Sequence, residues 1–183
     1  MTSSRNILRQ LAGLVVKALS SGSSRSPERG PGRSRASDTE VTAGREWGSE
    51  TVQIEPERID DLQVSYTPSR DGAPDSGEVI WTWVPYEEND GRGKDRPVLV
   101  IGRHSSERVY AVRMTSKPHH RDRDYISIGS GSWDSQGRES WVDIEQLYSV
   151  HDAGMRREAA ILDRVRYDRV ADALVARYGW ARR

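Results

Sequence analysis

Residues 77–116 read GEVIWTWVPYEENDGRGKDRPVLVIGRHSSERVYAVRMTS. Val79, Trp81 and Trp83 alternate with Ile80, Thr82 and Val84, the period-two pattern of a strand with two different faces. Residues 87–95 carry no apolar side chain and predict a long polar loop. Arg96-Pro97 closes that loop, and Val98-Leu99-Val100-Ile101 is the short apolar run of a buried strand. A Gly-Arg-His-Ser-Ser turn follows. Residues 109–114 alternate again, and Thr115-Ser116 end a third strand. Polar side chains suited to chemistry thus fall at strand ends beside the loop: Arg96 on one side, Thr115 and Ser116 on the other.

Downstream of this stretch the pattern stays β. Residues 117–124 are a polar loop and 125–128 a short strand. Residues 129–138 are a Gly/Ser loop around Trp133, and 141–144, 147–150 and 159–162 are further short strands. Several short strands with close turns predict a small barrel. Residues 164–178 read as a terminal helix: Val170, Ala171, Leu174, Val175 and Tyr178 recur at helical spacing, and Gly179 is a suitable stop. The expected fold is mainly β with a C-terminal helix, an α+β domain over residues 74–183.

Upstream, residues 68–77 are turn-rich and mark the entrance to that domain. Residues 51–73 are expected to connect, with a helical turn at 59–62 and a short strand at 63–66. Residues 1–50 read as an amphipathic segment followed by a disordered linker. Ile7, Leu8, Leu11, Val15 and Leu19 fall near helical spacing, but the uninterrupted apolar run at 11–16 is too short for a signal h-region or a span. A cytoplasmic protein without a membrane span is expected. The linker is poor in apolar residues and cannot offset its ordering entropy. Its Arg25, Arg29, Arg33 and Arg35 suit loose contact with RNA as well as plain solvation.

Composition narrows the function classes. Twenty-eight basic and 28 acidic residues cancel to a formal charge of zero. No global field favours nucleic acid, so any such site must be a local basic patch. Cysteine is absent, which removes disulfides and thiolate metal sites.

Gly77-Glu78-Val79-Ile80-Trp81, Arg96-Pro97-Val98-Leu99-Val100-Ile101 and Thr115-Ser116-Lys117, in this order and spacing, resemble the PemK/MazF toxin family of small RNA endonucleases. The likeness covers roughly residues 74–180. It implies an SH3-like barrel that cleaves single-stranded RNA without metal or cofactor, leaving 2′,3′-cyclic phosphate and 5′-hydroxyl ends. It also implies a homodimer with RNA in an interfacial groove, and a cognate antitoxin that blocks this groove. By the same resemblance Arg96, Thr115 and Ser116 are the catalytic residues.

The residue types suit that chemistry. Internal attack by the 2′-OH builds negative charge on a phosphorane, and a guanidinium bonds two phosphoryl oxygens at once. The family assigns its arginine proton transfer as well. Electrostatic stabilisation is the role better suited to a group so hard to deprotonate. The structural alternative for Arg96 is a loop-end arginine paired with Asp95 or Glu88. Thr115 and Ser116 can donate to phosphoryl oxygens, or merely close a turn on their own backbone. Lys117 is a candidate for a neighbouring phosphate.

His119 and His120 are candidates to shuttle the proton, against a plain reading as exposed loop histidines. Glu87 and Glu88 lie in the loop that, in the family, covers the cleft and helps choose sequence. Tyr86 and Trp133 are the candidates for stacking unpaired bases, while Trp81 and Trp83, sharing one strand face, are expected in the core. A metal site is not expected. The rival from another class is a non-catalytic barrel that binds a peptide or nucleic acid. The long N-terminal extension and the neutral charge favour it; the set Arg96, Thr115 and Ser116 favours catalysis.

Overall fold

The computed structural model describes residues 44–88 and 90–183. The expectations for residues 1–43, including the amphipathic segment and the linker arginines, lie outside the described residues. Nine strands and one α-helix are described: β1 (Val52–Ile54), β2 (Gln63–Val64), β3 (Glu78–Pro85), β4 (Gly93–Arg103), β5 (Arg108–Thr115), β6 (Tyr125–Gly129), β7 (Ser140–His151), β8 (Met155–Ile161), α1 (Arg164–Tyr178) and β9 (Ala181–Arg182). Short 3-10 turns cover Pro56–Arg58 and Asp152–Gly154. The main sheet runs β1-β7-β5-β4-β3-β8, and β6 pairs with β7 on the edge that β1 also uses. Its ladders are all antiparallel; β2 and β9 form a small parallel pair apart from it.

Alternation along the strands gives the sheet two apolar faces. Ile80, Val84, Val98, Val100, Val109, Ala111, Tyr148 and Val150 pack together on one. The other carries Val79, Leu99, Ile101, Val112 and Val142 against the buried stripe of α1, Tyr167, Val170, Ala171 and Leu174. The helix starts where Asp163 accepts a hydrogen bond from the Arg166 N–H (3.0 Å). It ends at Gly179, whose φ of 71° is the left-handed cap glycine adopts without a Cβ clash. The ends of the sheet path, β1 and β8, are not hydrogen-bonded to each other. Thr82 of β3 links the residues just before them: its hydroxyl lies 2.9 Å from that of Thr51 and donates to the Gly154 carbonyl (2.9 Å).

The structure departs from these expectations at several points. The loop after β3 is shorter than predicted, because Gly93, Lys94 and Asp95 pair with Pro85, Val84 and Trp83 as a hairpin arm that extends β4. Arg96 therefore sits within a strand, opposite Thr82, and not at a loop end. The strands predicted at 141–144 and 147–150 are one strand, β7. Between Val112↔Leu147 and Met114↔Val142 it carries extra residues, a bulge that hides the continuity from the period-two pattern.

The faces of β3 are opposite to those expected. Ile80, Thr82 and Val84 are buried, whereas Trp81 and Trp83 are half-buried. The segment 51–73 is also more than a connection: β1 joins the main sheet, and Leu62 and Val64 are core residues. Residues 44–50, expected within the linker, are held too. The Thr51 N–H donates to the Gly44 carbonyl (3.1 Å), and Arg108 donates to the Glu50 carbonyl (3.0 Å).

Candidate functional site

The β4–β5 ladder begins at Val98↔Arg113. Carrying that register two residues outward brings Arg96 level with Thr115. A cleft of about 250 Å³ opens there, lined by Arg96, Thr115 and Ser116 together with Trp81, Lys94 and Asp95. Trp133, Asp134 and Arg138 from the β6–β7 loop complete it. The three residues expected to carry chemistry thus come together from β4 and the end of β5.

Among the described residues the Arg96 side chain makes no hydrogen bond or ion pair. Its two expected partners are engaged otherwise or stand apart. Asp95 pairs with Arg156 across the sheet, and Glu88 lies exposed in the loop. The Thr115 hydroxyl accepts a hydrogen bond from the Lys117 N–H (3.1 Å). That is the turn expected of a strand-end threonine, and it still leaves the hydroxyl proton to donate. Asp134, the other carboxylate of the cleft, is taken by Arg138 (2.7 Å). This bond and the Gln136 N–H hold its carboxyl below the usual range. With both carboxylates matched, Lys94 and Arg96 give the cleft a local positive charge that the neutral chain total conceals.

Arg96 also lines a second recess, with Tyr86, Glu87, Glu88, Arg92 and Arg113. Tyr86, Glu87 and Glu88 therefore share this recess with Arg96. Glu87 accepts from the Gln146 amide (2.6 Å), whose own oxygen accepts from Tyr148 (2.7 Å). Burial pushes the Tyr148 phenol up to about 12, with the charges of Arg113 and Arg96 opposing it. Arg113 is bound to Asp143 (2.6 Å), whose side chain is only 2% exposed.

The remaining candidates fall elsewhere. His119 stacks on Tyr125 with ring centroids 3.5 Å apart, and His120 meets Trp141 edge-on at 5.4 Å. Both line the surface of the β5–β6 loop, and neither lines the Arg96 cleft. Lys117 is exposed, contributing its backbone to the Thr115 turn. Trp133 is 4% exposed, and its indole N–H donates to Ser140 (3.0 Å). It is thus a core anchor with one edge at the cleft, and the half-buried Trp81 is the better stacking surface. Sequence reasoning passed over Lys94 and Arg138. The first was hidden by the misjudged loop, and the second carries no signal beyond its charge. No three side chains among His, Asp and Glu gather as a metal site among the described residues.

The molecule is therefore a mainly antiparallel β fold with one C-terminal helix, presenting an arginine and two hydroxyls in one cationic cleft. The chain belongs to the PemK-like, MazF-like toxin family of type II toxin–antitoxin systems, whose model matches residues 75–176. Similar solved structures include a MazE–MazF complex from Deinococcus radiodurans, at 18% identity and a TM-score of 0.46, covering 58% of this chain and 96% of that one. An endoribonuclease in complex with its cognate antitoxin from a mycobacterial species matches at 17% identity and 0.46, with the same coverage. MazF from D. radiodurans matches at 18% and 0.47, covering 58% of this chain and 97% of that one. No curated protein matches the chain. No helix among the described residues is long and apolar enough to cross a membrane.

Proposed function

We propose that the chain is the toxin of a type II pair and acts as a metal-independent endoribonuclease on single-stranded RNA. The observation that carries this reading is the meeting of Arg96, Thr115 and Ser116 in one cleft, with Arg96 unpaired among the described residues. The 2′-hydroxyl gives up its proton as its oxygen attacks the neighbouring phosphorus, the bond to the 5′-oxygen breaks and that oxygen takes up a proton, and a 2′,3′-cyclic phosphate and a 5′-hydroxyl result. Arg96 bonds the two non-bridging oxygens of the phosphorane as charge builds there, and Thr115 and Ser116 donate to one of them. The recess holding Tyr86, Glu87 and Glu88 receives the adjoining nucleotide. A cognate antitoxin and a second copy of the chain are the partners this reading implies.

The test is single-turnover cleavage of a saturating RNA oligomer in EDTA, with thermal melting alongside. Arg96→Ala and Arg96→Lys should both fall about 100-fold or more, since lysine keeps the charge and loses the fork. Thr115→Val should lower the rate with little change in melting. Cleavage only with added divalent metal would defeat the mechanism. Full activity in Arg96→Ala, with the fold intact, would leave a non-catalytic binding module as the better account.

A further inference from the structure

A recess of about 740 Å³ lies beside the β3–β4 arm. It is a slot between two strand edges. One wall is β1, which is hydrogen-bonded to β7 on a single edge. The other is the Trp83–Pro85 end of β3. The β8 ladder leaves β3 at Thr82↔Met155, so past that point, among the described residues, β3 pairs with β4 alone. The walls are tied at one end by the Thr51 and Thr82 hydroxyls. An edge strand leaves alternate N–H and C=O groups unsatisfied by protein, which is the template on which an added strand forms.

The side chains say what kind of strand. Five glutamates and one arginine line the slot. The arginine, Arg45, lies over the Trp83 ring, 5.4 Å from its centroid. Glu55, Glu87 and Glu145 have cationic neighbours in Arg58, Arg113 and Arg177. Glu50 and Glu57 have no ion pair among the described residues, and Glu50 Oε2 is buried without a hydrogen-bond partner. A buried carboxylate oxygen without a donor calls for one. Between the glutamates lie apolar surfaces, with Val52 41% exposed and Trp83 half-buried. Alternate residues of an extended chain point to opposite sides, so one side can set cations on the glutamates while the other covers the apolar floor.

We propose that this slot takes an extended basic segment of a partner polypeptide as an added β-strand. The glutamates repel a nucleic acid, and a second copy of the slot would bring the same charge to its twin. The β1 wall lies outside residues 75–176, so it belongs to this chain and not to the part matched by the family model. The slot shares Glu87 with the recess beside Arg96 and no residue with the Thr115 cleft, so strand binding does not depend on the proposed RNA cleavage.

The experiment titrates the full-length, isotope-labelled protein with a short capped peptide of alternating Arg and Val. Binding is read by amide chemical shifts. Expected is binding at about 100 µM or tighter, weaker with added salt, with shifts concentrated at residues 50–57 and 83–91. N-methylation of alternate residues, which removes strand hydrogen bonds and keeps the charge, should weaken it about tenfold or more. Glu55→Lys with Glu57→Lys should do the same. Both side chains are exposed, so melting should be unchanged. Equal binding of a Glu–Val peptide overturns the proposal, as does indifference to N-methylation. So does a shift pattern centred on Arg96 and Thr115, or no binding at all. The N-methylation arm stands even if the charge-reversed variant fails to fold.

Discussion

Replacing Arg113 by methionine should be among the most damaging single changes that leave every core side chain in place. The Arg113 side chain is 16% exposed and donates to Asp143 Oδ2 (2.6 Å). Burial works against its charge, but the hydrogen bond and the charge of Asp143 outweigh it and raise its affinity for the proton. Asp143 also accepts from the Tyr125 hydroxyl (3.1 Å) and the Glu145 N–H (3.0 Å). Without Arg113 those two bonds remain, but a carboxylate only 2% exposed loses its counter-charge. Breaking a buried pair by removing one partner costs about 3–5 kcal/mol. In a domain of this size that lowers the melting temperature by roughly 6–20 °C. Adding Asp143→Asn keeps an oxygen to accept from the Glu145 N–H, sets its NH2 to donate to the Tyr125 hydroxyl oxygen, and removes the stranded charge. The double variant should therefore be more stable than Arg113→Met alone, by about 1–3 kcal/mol. Urea and thermal unfolding of the three variants measure this. A loss below about 1 kcal/mol in Arg113→Met, or a double variant no better than the single, would refute the reasoning.

Two further outcomes follow from the same kind of accounting. His104 binds Ser149 Oγ through Nδ1 (2.8 Å) and stacks on Tyr110. Burial, then the charge of Arg108, lower its proton affinity, with Asp61 opposing. The unfolded chain thus binds the extra proton first, so stability should fall as pH drops below about 6.5 and level off under the folded value. His104→Gln should flatten that part of the melting-temperature profile, and an unchanged difference from wild type between pH 7 and 5 would refute it. A chain beginning at residue 51 should melt at least about 3 °C below one beginning at residue 44. It loses the Arg108 bonds to Gly48 and Glu50, the Gly44 contact and the Arg45–Trp83 stack. Equal melting of the two would show that these contacts contribute nothing.

The sequence was most legible where a local signal and a tertiary one agree. The helix bounds are those predicted because Val170, Ala171 and Leu174 set the period and Gly179 sets the end. Where the two diverge, the reading failed. The arm of Gly93, Lys94 and Asp95 is paired on one side yet solvated, so its composition is that of a loop. The tryptophans of β3 looked like core because they are apolar, but Ile80, Thr82 and Val84 fill the inner face, and Thr82 is buried there by its hydroxyl bonds to Thr51 and Gly154. His119 and His120 follow Thr115 and Ser116 closely in sequence. The chain leaves the sheet after Thr115, and stacking on Tyr125 and Trp141 carries both rings away from the cleft. Arg113 was missed because a buried guanidinium depends on Asp143, which is thirty residues distant and brought opposite by the β7 bulge.

The three stretches that carry the family resemblance do different physical work. Gly77 has a φ of 101°, and a Cβ there would meet the Tyr66 ring at 2.6 Å, so a side chain is excluded twice over. Glu78 is wholly buried, accepting from the N–H groups of Ser69 (2.9 Å) and Asp75 (3.1 Å). That pair builds the entrance to β3 and never approaches the cleft. Pro97 acts on the cleft without chemistry of its own. It pairs opposite Trp81 in the β3 ladder, while the β5 ladder starts only at Val98. Proline has no N–H to give to a neighbouring strand, so a ladder tends to stop beside it. Past that stop β4 still follows β3 but is no longer bonded to β5. Arg96 and Thr115 remain level with each other, and the space between them is open to a ligand. An arginine followed by proline, set against a strand ending in threonine, is thus a way of parting two strands at the place where the cation and the hydroxyl face each other.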